Sequence, residues 1–400
     1  MYRILHLIDS LGYGGAERQL VLNVTGIQGE EFDNYVCYVH APNDLERDLS
    51  RSGIPVLSLD AAGKCQWPSA ILRLCKLIRS LQIDLIHTSL FSSDILGGGA
   101  GRLCGVPVVG TICSTADIAE RLLDNPRVNK FKLTVSNSAW GLALRSFHQK
   151  SIAVSYAVKD SAMRNYGVAE NKIAVIYRSV AEPWNSPGMI GDIGILRKDL
   201  GIDGAYPILL NVGRLVPQKG QRYLIQAMPS VIERFPQAHL LIAGDGPLKE
   251  STATLCRELG VSQHVSLLGQ RNDIRSLLEL SDIFVFPSLY EGLGGALMEA
   301  TSAGKPCVAS RVGPLPEVLD GGNSGRLVSS QSPEELAQAI IYLGENREAA
   351  QTMGQRGKQV AVEMFNVNNN VRRLEEVYQE VLCRNGASAL SASLSSRSKD

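Results

Sequence analysis

The segment YEGLGGALMEATSAG, residues 290–304, places two carboxylates around a glycine-rich turn and contains no Lys or Arg. Glu291 precedes the glycines, and Glu299 lies within a helix predicted to begin near residue 295. Backbone N–H groups at a helix start favour phosphate, and carboxylate oxygens accept hydrogen bonds from sugar hydroxyls. The pattern therefore indicates a hydroxyl-bearing ligand, unless the two acids only complement the helix dipole.

The cations missing from that segment occur in NVGRLVPQKGQRYL, after a predicted strand at 208–212. Arg214 follows the strand end, and Lys219 precedes the next helix start. A guanidinium fork and an ammonium point charge both suit a diphosphate; two solvated surface charges are the alternative. Cations for a diphosphate, together with carboxylates for hydroxyl-bearing rings, predict a nucleotide-sugar site.

Two further glycine-containing loops follow predicted strands. In DSLGYGGAERQL, Gly14 and Gly15 lead into a helix whose amides suit a phosphate, with a plain tight turn as the alternative. Gly269 and Arg271 lie in a second loop, whose backbone groups we expect to hold a base. The dinucleotide fingerprint Gly-x-Gly-x-x-Gly fails because Glu17 takes its last position, which disfavours a Rossmann dehydrogenase.

These loops need strands to position them, and β-branched apolar runs alternate with helical patterns along the chain. The predicted strands are 2–8, 34–39, 55–59, 83–87, 107–111, 151–155, 173–177, 208–212, 239–243, 265–268, 282–286 and 306–310. The helices with clear bounds are 69–81, 295–303, 333–344, 347–363 and 370–383. Such alternation predicts parallel sheets covered on both faces, with ligands beyond the carboxyl ends of the strands.

A stretch rich in Pro and Gly at 178–207 predicts a linker between two doubly wound α/β domains that face each other across a cleft. The predicted organisation is an N-terminal Rossmann-like domain, a nucleotide-sugar-binding Rossmann-like domain, a last helix and a disordered tail. Their predicted bounds are 1–185, 186–365, 366–384 and 385–400.

Composition limits the class of protein. Forty basic and forty acidic residues give no net charge, which argues against a nucleic-acid binder. Eight scattered cysteines without a Cys-x-x-Cys pair predict reduced thiols in a cytoplasmic protein. No apolar run approaches the ~18 residues of a membrane span. Because neither Asp-x-Asp nor His-Glu-x-x-His occurs, we expect no metal and no other cofactor.

Several motifs in order resemble the retaining family 4 glycosyltransferases of the two-domain GT-B type. They are GGAER at 14–18, VGRLVPQKG at 212–220, AGDGP at 243–247, LLG at 267–269, SLYEGLGGALMEA at 288–300, and GKPCVAS with VGPLPEV within 304–318. The resemblance covers about residues 1–384. It implies sugar transfer from a nucleoside diphosphate, with UDP expected, to a glycan or lipid-linked acceptor with retention at the anomeric carbon. Cell-surface polysaccharide or glycolipid synthesis is the implied setting, and the last helix would cross back onto the first domain.

The resemblance also implies roles for individual residues. Arg214 and Lys219 resemble the pair that neutralises the diphosphate leaving group, and Glu291 resembles the acid beside the donor sugar. These three are the candidate catalytic residues. Glu299 resembles the ribose binder and Gly15, next to Gly14, the amide that closes on the phosphates. Backbone groups of one turn would contact sugar and phosphate: Gly292, Leu293, Gly294 and Gly295.

Two departures from the family pattern fall on the acceptor side. Cys113 stands where a histidine is expected, and Arg178 with Ser179 replaces a familiar Asn-Gly. His87, after the preceding predicted strand, is a further acceptor-side candidate, although a packed residue at a strand end is the alternative. These departures bear on acceptor and catalytic detail more than on the donor site.

Basic residues on helix 69–81 and in segment 121–150 form either a solvated face or a surface for docking on an anionic membrane near a lipid-linked acceptor. Two other functions share the architecture. A nucleotide-sugar 2-epimerase would alter the donor without an acceptor. A catalytically silent protein would bind the donor and transfer nothing.

Overall fold

The computed structural model describes residues 1–27, 31–61, 63–115, 129–180 and 191–397. The strands are β1 Tyr2–Ile8, β2 Phe32–Tyr38, β3 Val56–Ser58, β4 Leu85–Ser89, β5 Val108–Ile112, β6 His148–Ala153, β7 Ile173–Val175, β8 Ile208–Val212, β9 His239–Ala243, β10 Val265–Gly269, β11 Ile283–Phe286, β12 Cys307–Ser310 and β13 Gly325–Val328. The helices are α1 Gly15–Gly26, α2 Glu46–Arg51, α3 Trp67–Leu81, α4 Phe91–Cys104, α5 Lys130–Ser146, α6 Tyr156–Tyr166, α7 Ile193–Asp199, α8 Gln221–Arg234, α9 Lys249–Glu258, α10 Ile274–Leu280, α11 Gly295–Ser302, α12 Leu315–Val318, α13 Pro333–Glu345, α14 Arg347–Met364 and α15 Val367–Arg397.

The first compact unit contains the described residues up to 115, those from 129 to 179, and α15. Its seven parallel strands lie in the order β3-β2-β1-β4-β5-β6-β7. Side chains alternate across the sheet, so Leu5 and Leu7 of β1 pack with α3 and α4 while Ile4 packs on the other face against Tyr378 of α15. The sheet is therefore covered on both faces, as the alternating sequence predicts.

The second unit contains the described residues from 180 to 366. Its six parallel strands lie in the order β10-β9-β8-β11-β12-β13. Leu209, Ile242 and Val285 of three neighbouring strands pack in one core with Leu224 of α8 and Ile340 of α13. The strand order reverses between β8 and β11. In open α/β sheets such a switch point is where loops diverge and leave a crevice for a ligand.

The last helix confirms one expectation and differs from another. Helix α15 belongs to the first unit, where Lys150 of β6 pairs with Glu380 at 3.0 Å, so the predicted return of the chain is confirmed. The backbone stays helical through Arg397, whereas the sequence predicts disorder from 385 onward. A helix propagates more easily than it nucleates, so packed turns support the turns that follow. The predicted boundary at 185/186 lies outside the described residues.

Most predicted strands have bounds that differ from the observed ones by one to three residues, and β4 and β13 differ in ways that have a clear physical reason. Strand β4 is Leu85–Ser89 instead of 83–87, so His87 and Ser89 lie inside the strand and not after it. The prediction ended the strand at His87, but His87 and Thr88 of β4 are buried and have hydrogen-bond partners. The four residues of β13 were not predicted, because GRLV is too short to show a period.

Candidate active site

The loops after β8 and β11 meet at the switch point of the second unit. Lys219, in the loop after β8, places Nζ 2.5 Å from Oε1 of Glu291, in the loop after β11. The same ammonium lies 5.1 Å from the ring centroid of Phe286 at the end of β11. Glu291 is buried and Lys219 is mostly buried. The predicted diphosphate cation and the predicted sugar-binding acid therefore form one ion pair.

A close backbone approach fixes the relative position of these two loops. Gly220 has φ +63°, and a Cβ at this position would lie 2.1 Å from the carbonyl oxygen of Pro287. Gln218 adds two hydrogen bonds: its Nε2 donates to the Tyr290 carbonyl at 3.0 Å, and its own carbonyl accepts from the Leu289 amide at 2.8 Å. These contacts hold together the two loops that carry Lys219 and Glu291.

Arg214 lies nearby on the same loop and has a different environment. It is exposed, and no carboxylate of the described residues pairs with its guanidinium. Its carbonyl accepts a hydrogen bond from Gln221 Nε2 at 3.1 Å, which fixes the backbone while the side chain stays in solvent. Because the charges of Lys219 and Glu291 cancel, the exposed guanidinium of Arg214 gives the loop after β8 a net positive charge.

Helix α11 begins at the same crevice. Gly294 is its N-cap with φ +88°, and no atom lies within 4 Å of a Cβ placed on Gly295. Leu293 is buried and anchors the turn. Open space therefore lies beside Gly295 at the start of α11, and a helix N-terminus is where an anion binds. Glu299 lies half-buried in the second turn.

In the loop after β10, the side chain of Arg271 and the carbonyl of Gly269 both have partners within the second unit. Arg271 forms a two-point ion pair with Asp273, with Nε–Oδ1 at 2.8 Å and Nη2–Oδ2 at 2.5 Å. Gly269 has φ +65°, and its carbonyl accepts from the Gly244 amide at 2.8 Å. Because the Arg271 guanidinium is engaged, any base in this loop would meet backbone groups, as predicted for Gly269.

The first unit brings together residues that the sequence assigned to two different roles. Gly14 is the N-cap of α1 and Gly15 its first residue. A Cβ on Gly15 would lie 3.0 Å from Nη1 of Arg178. Cys113 adjoins the same guanidinium, and burial raises the pKa of its thiol although Arg178 opposes that rise. The predicted phosphate-binding glycine and two predicted acceptor-side residues thus share one corner.

His87 forms the floor of this corner. Its Nδ1 lies 2.5 Å from the Tyr378 hydroxyl and its Nε2 lies 2.7 Å from Thr111 Oγ1. Burial holds the pKa of His87 well below its usual value, so the ring is neutral. Both ring nitrogens are engaged, which supports the packed alternative. Tyr378 and Thr111 could not be identified from the sequence. Both lie far from His87 along the chain, and only the folded sheet and α15 bring them next to it.

Within the described ranges, no group of three His, Cys, Asp or Glu side chains is placed to hold a metal ion. No described helix has both the length and the apolar character that crossing a bilayer requires. Independence from metal stays a prediction.

Comparison with known families decides the assignment. The model for Glycosyltransferase Family 4 matches residues 13–182, and the model for Glycosyl transferases group 1 matches residues 192–360. Together they account for most of the chain. The chain belongs to the family 4, group 1 glycosyltransferases. The N-terminal match contains the Gly15 corner, and the C-terminal match contains Arg214, the Lys219–Glu291 pair and α11.

Relatives of this glycosyltransferase match most of its length. An Escherichia coli UDP-Gal:alpha-D-GlcNAc-diphosphoundecaprenol alpha-1,3-galactosyltransferase is 26% identical, covering 92% of this chain and 94% of its own. An uncharacterized glycosyltransferase of Methanocaldococcus jannaschii is 28% identical, covering 74% and 75%. Among solved structures, Anabaena HepE in complex with UDP matches with a TM-score of 0.81 at 22% identity, over 94% of this glycosyltransferase and all of HepE. Two parallel-sheet α/β units with such neighbours are the GT-B fold.

Proposed function

We propose that the protein transfers a sugar from a UDP-sugar to a lipid-linked or glycan acceptor, with retention at the anomeric carbon and without a metal. The Lys219–Glu291 ion pair at the switch point is the observation that carries this proposal. It holds a cation for the diphosphate beside an acid for sugar hydroxyls. The α11 amides and the exposed Arg214 complete the set that a nucleoside diphosphate sugar requires.

The similar proteins support the identities of donor and acceptor. HepE has been solved with UDP-glucose, and the Escherichia coli relative is named for a UDP-sugar donor and an undecaprenol-linked acceptor. A lipid-linked acceptor lies in a membrane. We therefore place the enzyme on the cytoplasmic face of the cell membrane, as a peripheral protein in polysaccharide or glycolipid synthesis.

Donor binding would exchange the partners of Lys219. A diphosphate oxygen takes the ammonium, Arg214 takes a second oxygen, and Glu291 is released toward the hydroxyls of the donor sugar. Glu299 accepts from the ribose hydroxyls, and backbone groups at Gly292 and Gly294 solvate sugar and phosphate. The exchange keeps the buried carboxylate paired until a polar ligand replaces its partner, because an unpaired buried charge is costly.

In the transfer step, the bond from the anomeric carbon to the diphosphate oxygen breaks and its electron pair stays on the oxygen. The acceptor hydroxyl attacks from the same face, and its proton passes to that diphosphate oxygen. Lys219 and Arg214 stabilise the developing negative charge, which is the principal catalytic contribution in such a site. The products are UDP and a glycoside with the donor's anomeric configuration.

On the acceptor side, the first unit offers a corner with one cation. Arg178 and the Gly15 amide favour a negatively charged group, and Cys113 presents a neutral thiol beside them. His87 would act through Thr111, holding the hydroxyl that lies near the opening. We propose that these residues of the first unit orient the acceptor.

A screen of nucleoside diphosphate sugars by thermal shift tests the proposal. A bound donor at a hundred times its dissociation constant adds ~2.7 kcal/mol of stability. NMR of that donor, with and without a lipid-linked saccharide, then separates the outcomes. A new glycoside with retained configuration supports the proposal. An altered free donor would identify an epimerase, and binding without any reaction would identify a silent binder.

A further inference from the structure

Glu17 brings a negative charge to the acceptor corner, the group of side chains in the first unit that contains Gly15, Arg178 and Cys113. It is the third residue of α1, whose N-cap is Gly14. A Cβ on Gly14 would overlap Oε2 of Glu17 and would lie 3.1 Å from Oε1. The half-buried side chain therefore folds back along the helix, and its carboxylate lies beside the Gly14 Cα at the helix start.

A glutamate at this position of a helix has a familiar local role. In a capping box, its side chain accepts a hydrogen bond from the N-cap amide. Here the Gly14 amide donates to the Gly12 carbonyl at 3.0 Å instead. Within the described residues, the carboxylate has one hydrogen-bond partner, Ser10 Oγ at 3.5 Å, which is longer than an ordinary O–H···O bond. Because an ionised carboxylate can accept about four hydrogen bonds, Glu17 has capacity left for a ligand.

Arg178 places the opposite charge beside the next residue of the same helix start. A Cβ on Gly15 would lie 3.0 Å from its Nη1. Its Nε is buried and has no hydrogen-bond partner among the described residues. In the part of the chain that the structure describes, neither Arg178 nor Glu17 forms an ion pair. Both charges are therefore available to a ligand.

The thiol of Cys113 lies within reach of both charges. Burial raises the pKa of this thiol, Arg178 opposes the rise, and Glu17 adds to it. The neutral thiol therefore shares one space with the carboxylate and the guanidinium. Gly15 is exposed, so a ligand can approach the helix start from solvent.

This combination of groups defines the chemistry of the ligand. A carboxylate accepts hydrogen bonds and donates none, so the ligand must offer a donor beside Gly14. A phosphate in that position would be repelled by the like charge. A guanidinium, in contrast, forms charge-assisted hydrogen bonds with phosphate oxygens. A saccharide that carries a phosphate meets both requirements, because its hydroxyls can donate to Glu17 while its phosphate faces Arg178.

We propose that Glu17 binds a hydroxyl of the acceptor saccharide while Arg178 holds a phosphate attached to the same molecule. The hydroxyl donates to Glu17, and this contact sets the orientation of the sugar ring. The proton of the attacking hydroxyl still passes to the diphosphate oxygen, so Glu17 orients the acceptor and takes no proton. The inference rests on the proposed function, because it concerns the acceptor of that transfer, and it names the acceptor class as a phosphate-linked saccharide.

Acceptor kinetics of the full chain test the role of Glu17. UDP-glucose and UDP-galactose serve as donor probes, and N-acetylglucosamine linked to a short polyprenyl diphosphate serves as acceptor probe. Glu17→Gln removes the charge with almost no change of shape, and it should lower kcat/KM for the acceptor by about ten- to a hundredfold. The loss should appear mainly as a higher KM, since Glu17 binds the acceptor and does not enter the chemical step.

Glu17→Asp separates this role from stabilisation of the helix. Aspartate keeps a negative charge in the first turn of α1, where it complements the helix dipole, but its shorter side chain withdraws the carboxylate from the acceptor. The variant should unfold at the midpoint of the original chain and still show a raised acceptor KM. Glu348→Gln is the matched control for acceptor kinetics and should leave them unchanged, because Glu348 is an exposed glutamate in the first turn of α14.

A second acceptor probe tests the phosphate. The methyl glycoside of N-acetylglucosamine has the sugar hydroxyls without the phosphate, so Glu17→Gln should weaken its use as well. Arg178→Gln should raise the KM for the polyprenyl diphosphate probe and leave that for the methyl glycoside unchanged. Equal effects of Arg178→Gln on both probes would overturn the phosphate contact.

Failure of this inference can be distinguished from failure of the proposed function. UDP affinity, measured by titration calorimetry, should be unchanged in both Glu17 variants, because Arg214 and Lys219 lie in the second unit. The role of Glu17 is overturned if transfer proceeds with an unchanged acceptor KM in both variants. It is also overturned if Glu17→Gln binds UDP more tightly, which would show that the carboxylate opposes a donor phosphate. A chain that binds UDP but neither binds nor glycosylates either acceptor probe would overturn the proposed transfer together with the acceptor role.

Discussion

Lys219 Nζ lies 2.5 Å from Glu291 Oε1, so the candidate donor cation is already engaged by the candidate donor acid. The two side chains come from loops 72 residues apart and are held by Gly220 and Gln218. A donor group that binds either side chain must therefore displace the other member of the ion pair. This relationship makes the roles of the two residues separable by experiment.

Lys219→Ala should weaken UDP binding, because it removes a charge-assisted contact worth roughly 1.5–3 kcal/mol, or about ten- to a hundredfold in affinity. Glu291→Gln should leave UDP affinity unchanged or raise it, since Lys219 is freed, while sugar transfer falls. Titration calorimetry with UDP measures both. Lys249→Ala is the control, because Lys249 pairs with Asp245 in the neighbouring loop. Equal UDP affinity in Lys219→Ala and the control would refute the diphosphate role.

Gly220→Ala should destabilise the second unit more than Gly260→Ala does. Both glycines have positive φ, +63° and +69°, but a Cβ on Gly220 would meet the Pro287 carbonyl while a Cβ on Gly260 meets nothing within 4 Å. The left-handed conformation costs roughly 1–2 kcal/mol in each case. Urea unfolding measures the loss of unfolding free energy in both variants. The additional loss in Gly220→Ala is due to the close approach of the two loops. Indistinguishable unfolding curves would contradict that approach.

Tyr378→Phe should destabilise the first unit by roughly 1–3 kcal/mol, because His87 Nδ1 loses its buried partner. The effect should also reach the acceptor corner through Thr111. Urea unfolding measures the stability, and the KM for acceptor measures the corner. Tyr2→Phe, at a half-exposed ring of the same unit, should change neither quantity. A Tyr378→Phe protein as stable as the original would show that the hydroxyl contact is dispensable.

The first unit should lose stability in acid. Burial lowers the pKa of His6 to about 4 and that of His148 to about 3. A histidine with a depressed folded pKa contributes stability that is complete above its unfolded pKa of about 6.5 and is lost as pH falls toward the folded value. At pH 5 the loss is on the order of 2 kcal/mol for each ring. Urea unfolding at pH 7, 6 and 5, followed by tryptophan fluorescence, should show a steady decrease.

Asp94 provides an internal contrast to these histidines. Burial raises its pKa to about 7. A carboxyl with a raised folded pKa contributes stability that is present below its unfolded pKa of about 4 and is lost as pH rises toward 7. Asp94→Asn should therefore steepen the loss of stability on acidification, since the opposing contribution is removed. An identical pH profile in Asp94→Asn would contradict the raised pKa.

The sequence predicts the parts of the fold that depend on local pattern. Strands β1, β8 and β9 have the predicted bounds, because each is an apolar run bounded by turn residues. Strand β4 was misplaced, because His87 and Ser89 are polar yet buried, and their partners become adjacent only through sheet order. Short β13 has no period to detect.

The donor residues of the second unit could also be assigned to neighbouring loops, since carboxyl ends of parallel strands share one edge. The ion pair between Lys219 and Glu291 could not be predicted from the sequence. Nothing in 214–219 or 290–304 predicts that Lys219 and Glu291 touch, because the contact depends on the backbone approach at Gly220. Likewise, Gly15 and Arg178 were given different roles, and only the tertiary structure places the guanidinium over the glycine.

The path of α15 sets the order in which the two units can mature during synthesis. The sheet core of the first unit includes Leu374, Val377 and Tyr378, packed on Ile4 and Leu85. A ribosome must therefore finish residues 191–366 before the unit that begins at the N-terminus can bury its own second face. The described residues of the second unit all lie between 180 and 366, so its sheet can form as it emerges, whereas the first unit lacks part of its core until α15 has been made. The earliest-made half of this enzyme is the last to become complete.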